Sequence, residues 1–223
     1  MRIEWGNELA DIRVQNTKNN LTAALLTCIE HKSIHELKVK DIIQTAGVST
    51  RTFYQYYSDV SCLVKDTEDS FIEDYLKSVE KDRKLLADID LNIPFQEQLE
   101  TILNSTKNTI EFCFERKREI QLLLSDNGDI RFYNLIFKTG CDEFLKRMSQ
   151  VADVRNLKMT EKERITMMIN VQVFVHSMIG VVRVLLDNSD RLSPYDVRQN
   201  ILGFLREAPI SKMNIKEISN GND

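Results

Sequence analysis

The stretch AGVSTRTFYQYYSD, from Ala46 to Asp59, gathers hydroxyl, amide and guanidinium side chains at close spacing. Ser49, Thr50, Arg51, Thr52, Tyr54, Gln55 and Tyr56 follow closely after Gly47. It has no paired acids and no nucleophile with an adjacent base, so it suits recognition rather than bond making. Serine, threonine and tyrosine hydroxyls donate to phosphate oxygens, which positions a protein on DNA. An arginine fork fits the two acceptors of a guanine edge, and glutamine matches adenine. Arg51 also suits a phosphate. Gln55 lies four residues beyond Arg51 and shares its helix face. Phe53 and Tyr57, also four apart, make the opposite face and are expected to pack inward. Any one tyrosine here can simply bridge core and solvent. The residues taken together point to double-stranded DNA.

Two short helices must hold these groups. The first is expected over Val39–Ala46, with Val39, Ile42, Ile43 and Ala46 inward and Lys40 near its start. Gly47 interrupts the pattern with a conformation glycine adopts cheaply, and Val48 supplies an apolar plug. Ser49 caps the second helix, which starts at Thr50 and ends near Tyr56 or Tyr57. Two helices across a glycine-containing turn make the helix-turn-helix signature. A helix from Thr17 to His31, capped by Asn16, precedes it with Leu21, Ala24, Leu25 and Ile29 inward. Residues 1–15 read as an N-terminal arm, 16–60 as the DNA-binding domain, 61–208 as a helical body and 209–223 as a flexible tail.

The body is helical throughout, so the fold class is all-α. A helix over Ser61–Lys81 leads away from the head. A linker over residues 88–94 precedes a helix from Pro94 to Glu115, and a shorter one covers Arg118–Leu124. SDNGD, Ser125–Asp129, is a turn, and a helix over Ile130–Ser149 follows. Thr160 and Glu163 form a capping box before an apolar helix that reaches Asp187. Ser193, Pro194 and Asp196 start the last helix, which ends near Ala208. The apolar helix has two faces. One carries Ile165, Ile169, Val173 and Ile179; the other carries Met168, Val171, Val175, Met178, Val182 and Leu185. A helix apolar on most sides must be covered on most sides, so a second copy is expected to cover one face. The interface candidates are Val171, Val175, Met178 and Val182, with Val197, Ile201 and Phe204 from the last helix.

The bulk numbers exclude several classes. The chain has 223 residues, 42% apolar and 29% charged, with a net charge of −4. That balance does not advertise a nucleic-acid partner, so DNA binding must rest on a local patch. Between Thr17 and Lys65 there are six Lys/Arg against four Asp/Glu. The four cysteines form no CxxC pair and are expected to be buried thiols. The N-terminus shows no signal segment, and the run Met178–Leu186 is broken by Arg183 and too short to span a membrane. A cytoplasmic protein is expected. His31 and His35 straddle a loop and His176 lies mid-helix, so no metal site is visible. A phosphate-cradling glycine loop, HExxH and GxSxG are all missing. No cofactor and no enzyme activity are expected.

The segments TKNNLTAALLTCIEHKSIHE and LKVKDIIQTAGVSTRTFYQYYSDVSCLV resemble TetR-type transcriptional regulators. The AGVS turn, the aromatic pair of TFY and the aromatic residue that follows are in register with that pattern. The likeness is greatest to the branch common in low-GC Gram-positive bacteria, where RSTFYRHYKDK is typical. It is specific over Asn16–Asp66; beyond that the helix order agrees, with a weaker likeness over Gly180–Ile201. The resemblance implies base-facing roles for Thr50, Arg51 and Gln55, and phosphate-facing roles for Tyr54, Tyr56 and Lys40. It implies a homodimer through the last two large helices and a small-molecule effector in the body. Phe71, Tyr75, Phe112, Phe132, Tyr133 and Phe137 are the candidates to line an effector pocket. One departure is Val60, where the family usually has lysine near the start of the fourth helix. Amides at that helix end remain as a weaker anion site. Val60 also keeps an alternative open, a TetR-like coactivator acting mainly through protein partners.

Overall fold

A computed structural model describes residues 4–86, 97, 106–154 and 159–206. All regular structure among them is helical. The first helix, α1, runs Glu4–Ile29. It begins well before the expected Asn16 cap, because residues 4–16 contain no proline and each added residue extends a helix by one hydrogen bond. A short 3₁₀ turn, Ile34–Glu36, leads to α2 (Val39–Ala46) and α3 (Thr50–Tyr56). Next come α4 (Val60–Leu86), α5 (Lys107–Glu115), α6 (Lys117–Leu123) and α7 (Ile130–Val154). The last two are α8 (Glu161–Asp187) and α9 (Pro194–Arg206). The expected linker over 88–94, the start of the helix after it and the tail over 209–223 lie outside the described residues.

The chain divides into two compact units, 1–74 with 117–179 and 75–116 with 180–223. The expected head therefore shares its unit with later segments. Within the first unit, Leu21, Leu25 and Ile29 of α1 are buried with Ile42, Phe53 and Leu63. Phe71 meets Phe132 edge-on, ring centroids 5.2 Å apart. In the second unit, Asp82 of α4 is buried and accepts the amides of Asn108 and Thr109 at 3.0 and 2.8 Å. The side chains of the same two residues also donate to it, at 2.8 and 2.5 Å. Asp82 thus caps the first turn of α5 from another helix, satisfying amides that have no intrahelical acceptor.

Local caps match their sequence signals. Thr160 and Glu163 close a reciprocal box at the start of α8, with amide bonds of 2.7 and 3.3 Å. Ser193 and Asp196 do the same for α9, at 2.8 and 3.2 Å. Four of the seven assigned interface residues face into the chain. Val171 and Val175 are buried within the chain, as are Val197 and Ile201 of α9. Met178, Val182 and Phe204 are half-buried. The open side chains are Ile165, Met168, Ile169, Val173 and Val184, 49–61% exposed. Gln172, His176 and Gly180 lie on the same open face. By length and composition α8 is also apolar enough to cross a membrane, with 11% of its most apolar stretch buried. The expectation of too short a run counted only an uninterrupted segment.

The four cysteines are unpaired, and none is fully buried as expected: Cys28, Cys113 and Cys141 are half-buried, and Cys62 is exposed on the first turn of α4, its sulfur 3.0 Å from the Ser58 hydroxyl. It turns outward because Leu63 and Val64 take the inner face of that turn. Burial pushes the Cys113 thiol up to about 12, so it stays protonated.

Candidate nucleic-acid interface

Gly47 ends α2 in the left-handed conformation, φ 64° and ψ 30°, and its amide returns to the Ile43 carbonyl. Val48 donates to the same carbonyl at 3.1 Å. The chain reverses there and restarts at Ser49, whose hydroxyl accepts the Thr52 amide at 3.0 Å and fixes the first turn of α3. Asn20 of α1 donates to the Ala46 carbonyl at 2.9 Å, closing the other end of the turn. The start of α2 is held by Asp41, which accepts the Lys38 amide at 2.9 Å and pairs with Lys32 at 3.0 Å. That amide, and then Lys32, hold the Asp41 carboxyl below its ordinary range.

The two sides of α3 differ sharply. Phe53 and Tyr57 are buried as expected, with ring centroids 5.9 Å apart. Burial raises the Tyr57 phenol, and Asp66, accepting its hydroxyl at 2.7 Å, raises it further. Burial works against the Asp66 charge, but hydrogen bonds from Tyr57 and Lys18 outweigh it and keep the carboxyl low. This network anchors the end of α3 to α4 and α1. On the outer side Ser49, Thr50, Arg51, Tyr54 and Gln55 are exposed, while Thr52 and Tyr56 are half-buried. Lys40 is exposed on α2, and Lys38 joins it, a residue the sequence reading passed over.

Charge on this face comes from few residues. Lys18 and Lys32 are committed to Asp66 and Asp41, whereas Lys38, Lys40 and Arg51 make no ion pair among the described residues. The weaker anion site expected at the start of α4 is already occupied. Asp59 accepts the Cys62 amide at 2.9 Å, and this bond, with the Ser58 hydroxyl, holds its carboxyl below the ordinary range. A carboxylate in that place repels phosphate.

The aromatic pocket candidates make ring contacts within each unit. Phe71 packs on Phe132, and Tyr75 lies 6.1 Å from Phe112. Tyr133 and Phe137 flank His176, whose Nδ1 is 2.6 Å from the Tyr133 hydroxyl and whose ring stacks on Phe137 at 3.9 Å. A groove of about 750 Å³ lies elsewhere, between α7 and the first half of α8, with Phe144, Met167 and Phe174 among its walls. Among the described residues no group of three or more metal ligands converges.

No protein-family model matches the sequence, and no curated protein matches it either. Solved structures do. A TetR-family regulator structure from Syntrophomonas wolfei matches with a TM-score of 0.59 at 16% identity, over 85% of this chain and 93% of that one. The fold is TetR-like. A fatty acid degradation regulator, FadR, from Bacillus halodurans matches at 0.53 and 19% identity, over 86% and 97% of the two chains. A transcriptional regulator from Pseudomonas aeruginosa PAO1 gives 0.50 at 14% identity, over 85% and 88%. The three structures share the helical architecture at identities that speak for the fold alone.

Proposed function

We propose that this chain is a TetR-type transcriptional regulator that binds a specific duplex site as a homodimer, with α2, the Gly47 turn and α3 as a helix-turn-helix. The observation that carries this reading is the sidedness of α3. Its two buried aromatics fix it to the core, while a capped polar face stays open to solvent. Such a helix fits the major groove, with residues near its N-terminus against base edges. Arg51 is assigned to a guanine edge, Gln55 to adenine and Thr50 to a neighbouring base. Ser49 and Thr52 fix the helix start; Tyr54, Tyr56, Lys40 and Lys38 hold phosphates.

The open apolar face of α8 is assigned to the second copy of the chain. A two-fold assembly then sets the two α3 helices about 34 Å or a small multiple apart, on a palindromic operator. A small-molecule effector is assigned to the body, where Tyr133 and Phe137 remain partly open. Cytoplasmic localisation goes with this role. The test is selection from random duplexes with the purified full chain. An enriched, roughly palindromic sequence is expected. No enrichment even at low salt would contradict it and move the coactivator reading ahead, which the Asp59 carboxylate and Val60 at the start of α4 favour.

A further inference from the structure

The loop between α1 and the 3₁₀ turn, residues 30–33, carries the helix-turn-helix segment away from α1. Its two ends are joined by one residue from far along the chain. The Asn127 side chain donates to the Ile29 carbonyl at 2.9 Å across 98 positions of sequence. The Asn127 carbonyl accepts the Ile34 amide at 2.8 Å. Asn127 therefore bridges the last residue of α1 and the first residue of the 3₁₀ turn. Arg118, at the opposite end of α6, pairs with Glu30 at 2.8 Å and donates to the Thr27 hydroxyl at 3.1 Å. The start of α6 and the corner after its end are thus pinned to the C-terminal end of α1 and the loop after it.

The corner that presents Asn127 is stiff. Ser125 accepts the Asn127 amide at 3.2 Å and donates to the Leu122 carbonyl at 2.7 Å. A Cβ at Gly128 would stand 2.1 Å from the Leu123 carbonyl oxygen, so only glycine closes the turn. Asp129 then grips Arg131 through its amide at 2.8 Å and its guanidinium at 2.6 Å. A corner with this many internal bonds moves as one piece with α6 rather than bending.

We infer that α6 and the Asn127 corner form a clamp that sets the position of α2 and α3 relative to α1, a second connection to the reading head besides the continuous helix α4. A shift of α6 is passed to the loop through the two Asn127 bonds and the Arg118 pair. Asn127 and Arg118 are positioning residues; neither touches DNA. The inference rests on the DNA-binding reading for its consequence, but the clamp itself is tested without DNA.

The experiment is hydrogen exchange on the full chain, parent against Asn127→Ala and the milder Arg118→Ala, combined with affinity for the selected operator. Loss of one such hydrogen bond predicts about tenfold faster exchange over residues 30–46. Segments 107–115 and 161–187 should exchange as in the parent. Operator affinity should fall by a similar factor, about tenfold, although every reading residue is intact. Unchanged exchange over 30–46 in both variants overturns the clamp. Equal acceleration in all segments also overturns it, because Asn127 would then be a general core contact. Faster exchange in the head alone, with operator affinity within about twofold of the parent, overturns its role in reading. If the parent binds no operator, the DNA-binding reading fails while the exchange result still decides the clamp.

Discussion

Helices α3 and α8 are both central to the account, and they carry their information differently. On α3, chemistry separates the two sides: Phe53 and Tyr57 go in, and Arg51, Tyr54 and Gln55 stay out. On α8, valine, isoleucine and methionine occur all round. Val171 and Val175 are buried while Val173, between them, is among the most exposed apolar residues. Sidedness is legible when the two faces differ in polarity. When both are apolar, the sequence says that two surfaces need covering and not which neighbour covers which.

That comparison can be broken most sharply by charge placed on each side of α8. Val175→Asp puts a carboxylate into the chain's own core, where an unpaired charge costs about 3–5 kcal/mol, and loss of helical signal in circular dichroism is expected. The pair Ile169→Asp and Val173→Asp should leave the fold intact and yield 26.0 kDa monomers in sedimentation. Unfolding by both changes would show the open face to be core. On α3, Phe53→Ala should cost about 3–5 kcal/mol, while Tyr54→Ala stays within about 0.5 kcal/mol in thermal denaturation.

A smaller loss is expected at Asp82, whose removal leaves the first turn of α5 uncapped. Asp82→Ala should cost about 2 kcal/mol in urea titration; a change too small to measure would mean that water replaces the cap.

The smallest effect concerns Glu68, buried on α4 with one carboxylate oxygen lacking a hydrogen-bond partner. Burial, and after it the Asp129 charge, raises its carboxyl above the ordinary range. A raised acid stabilises the fold below its unfolded pKa, and that contribution is lost as pH rises through the folded value. Glu68→Gln should therefore raise stability at neutral pH by about 1 kcal/mol, or roughly 2–4 °C in Tm, with no gain at low pH. A gain of the same size at low pH would place its cause outside the carboxylate charge.

What the sequence shows and what it hides follow the range of each interaction. Gly47, Ser49, the Thr160–Glu163 box and the Ser193–Asp196 pair act within a few residues, so their residue types announce them. Asp82 capping α5, Asn20 on the Ala46 carbonyl and Asn127 on the Ile29 carbonyl act across 26 to 98 positions. No local pattern predicts such partners. The start of α1 was obscured because Asn16, a good cap by type, sits inside a helix that its neighbours extend. Cys62 looked buried by its apolar surroundings, but those neighbours occupy the inner face. The ring contacts of Phe71 with Phe132 and of Tyr75 with Phe112 likewise join residues far apart in sequence.

The central claim, that α3 reads bases through Arg51, is tested most directly by measuring affinity for every single-base variant of the half-site. Parent, Arg51→Ala and Lys40→Ala proteins would be compared at several salt concentrations. Arg51→Ala should lose about 1–3 kcal/mol on the selected site and become indifferent to one base pair per half-site. Lys40→Ala should weaken all sequences alike and lower the salt slope by about 1. Uniform weakening by Arg51→Ala, with every base preference retained, would make Arg51 a phosphate contact and contradict the account.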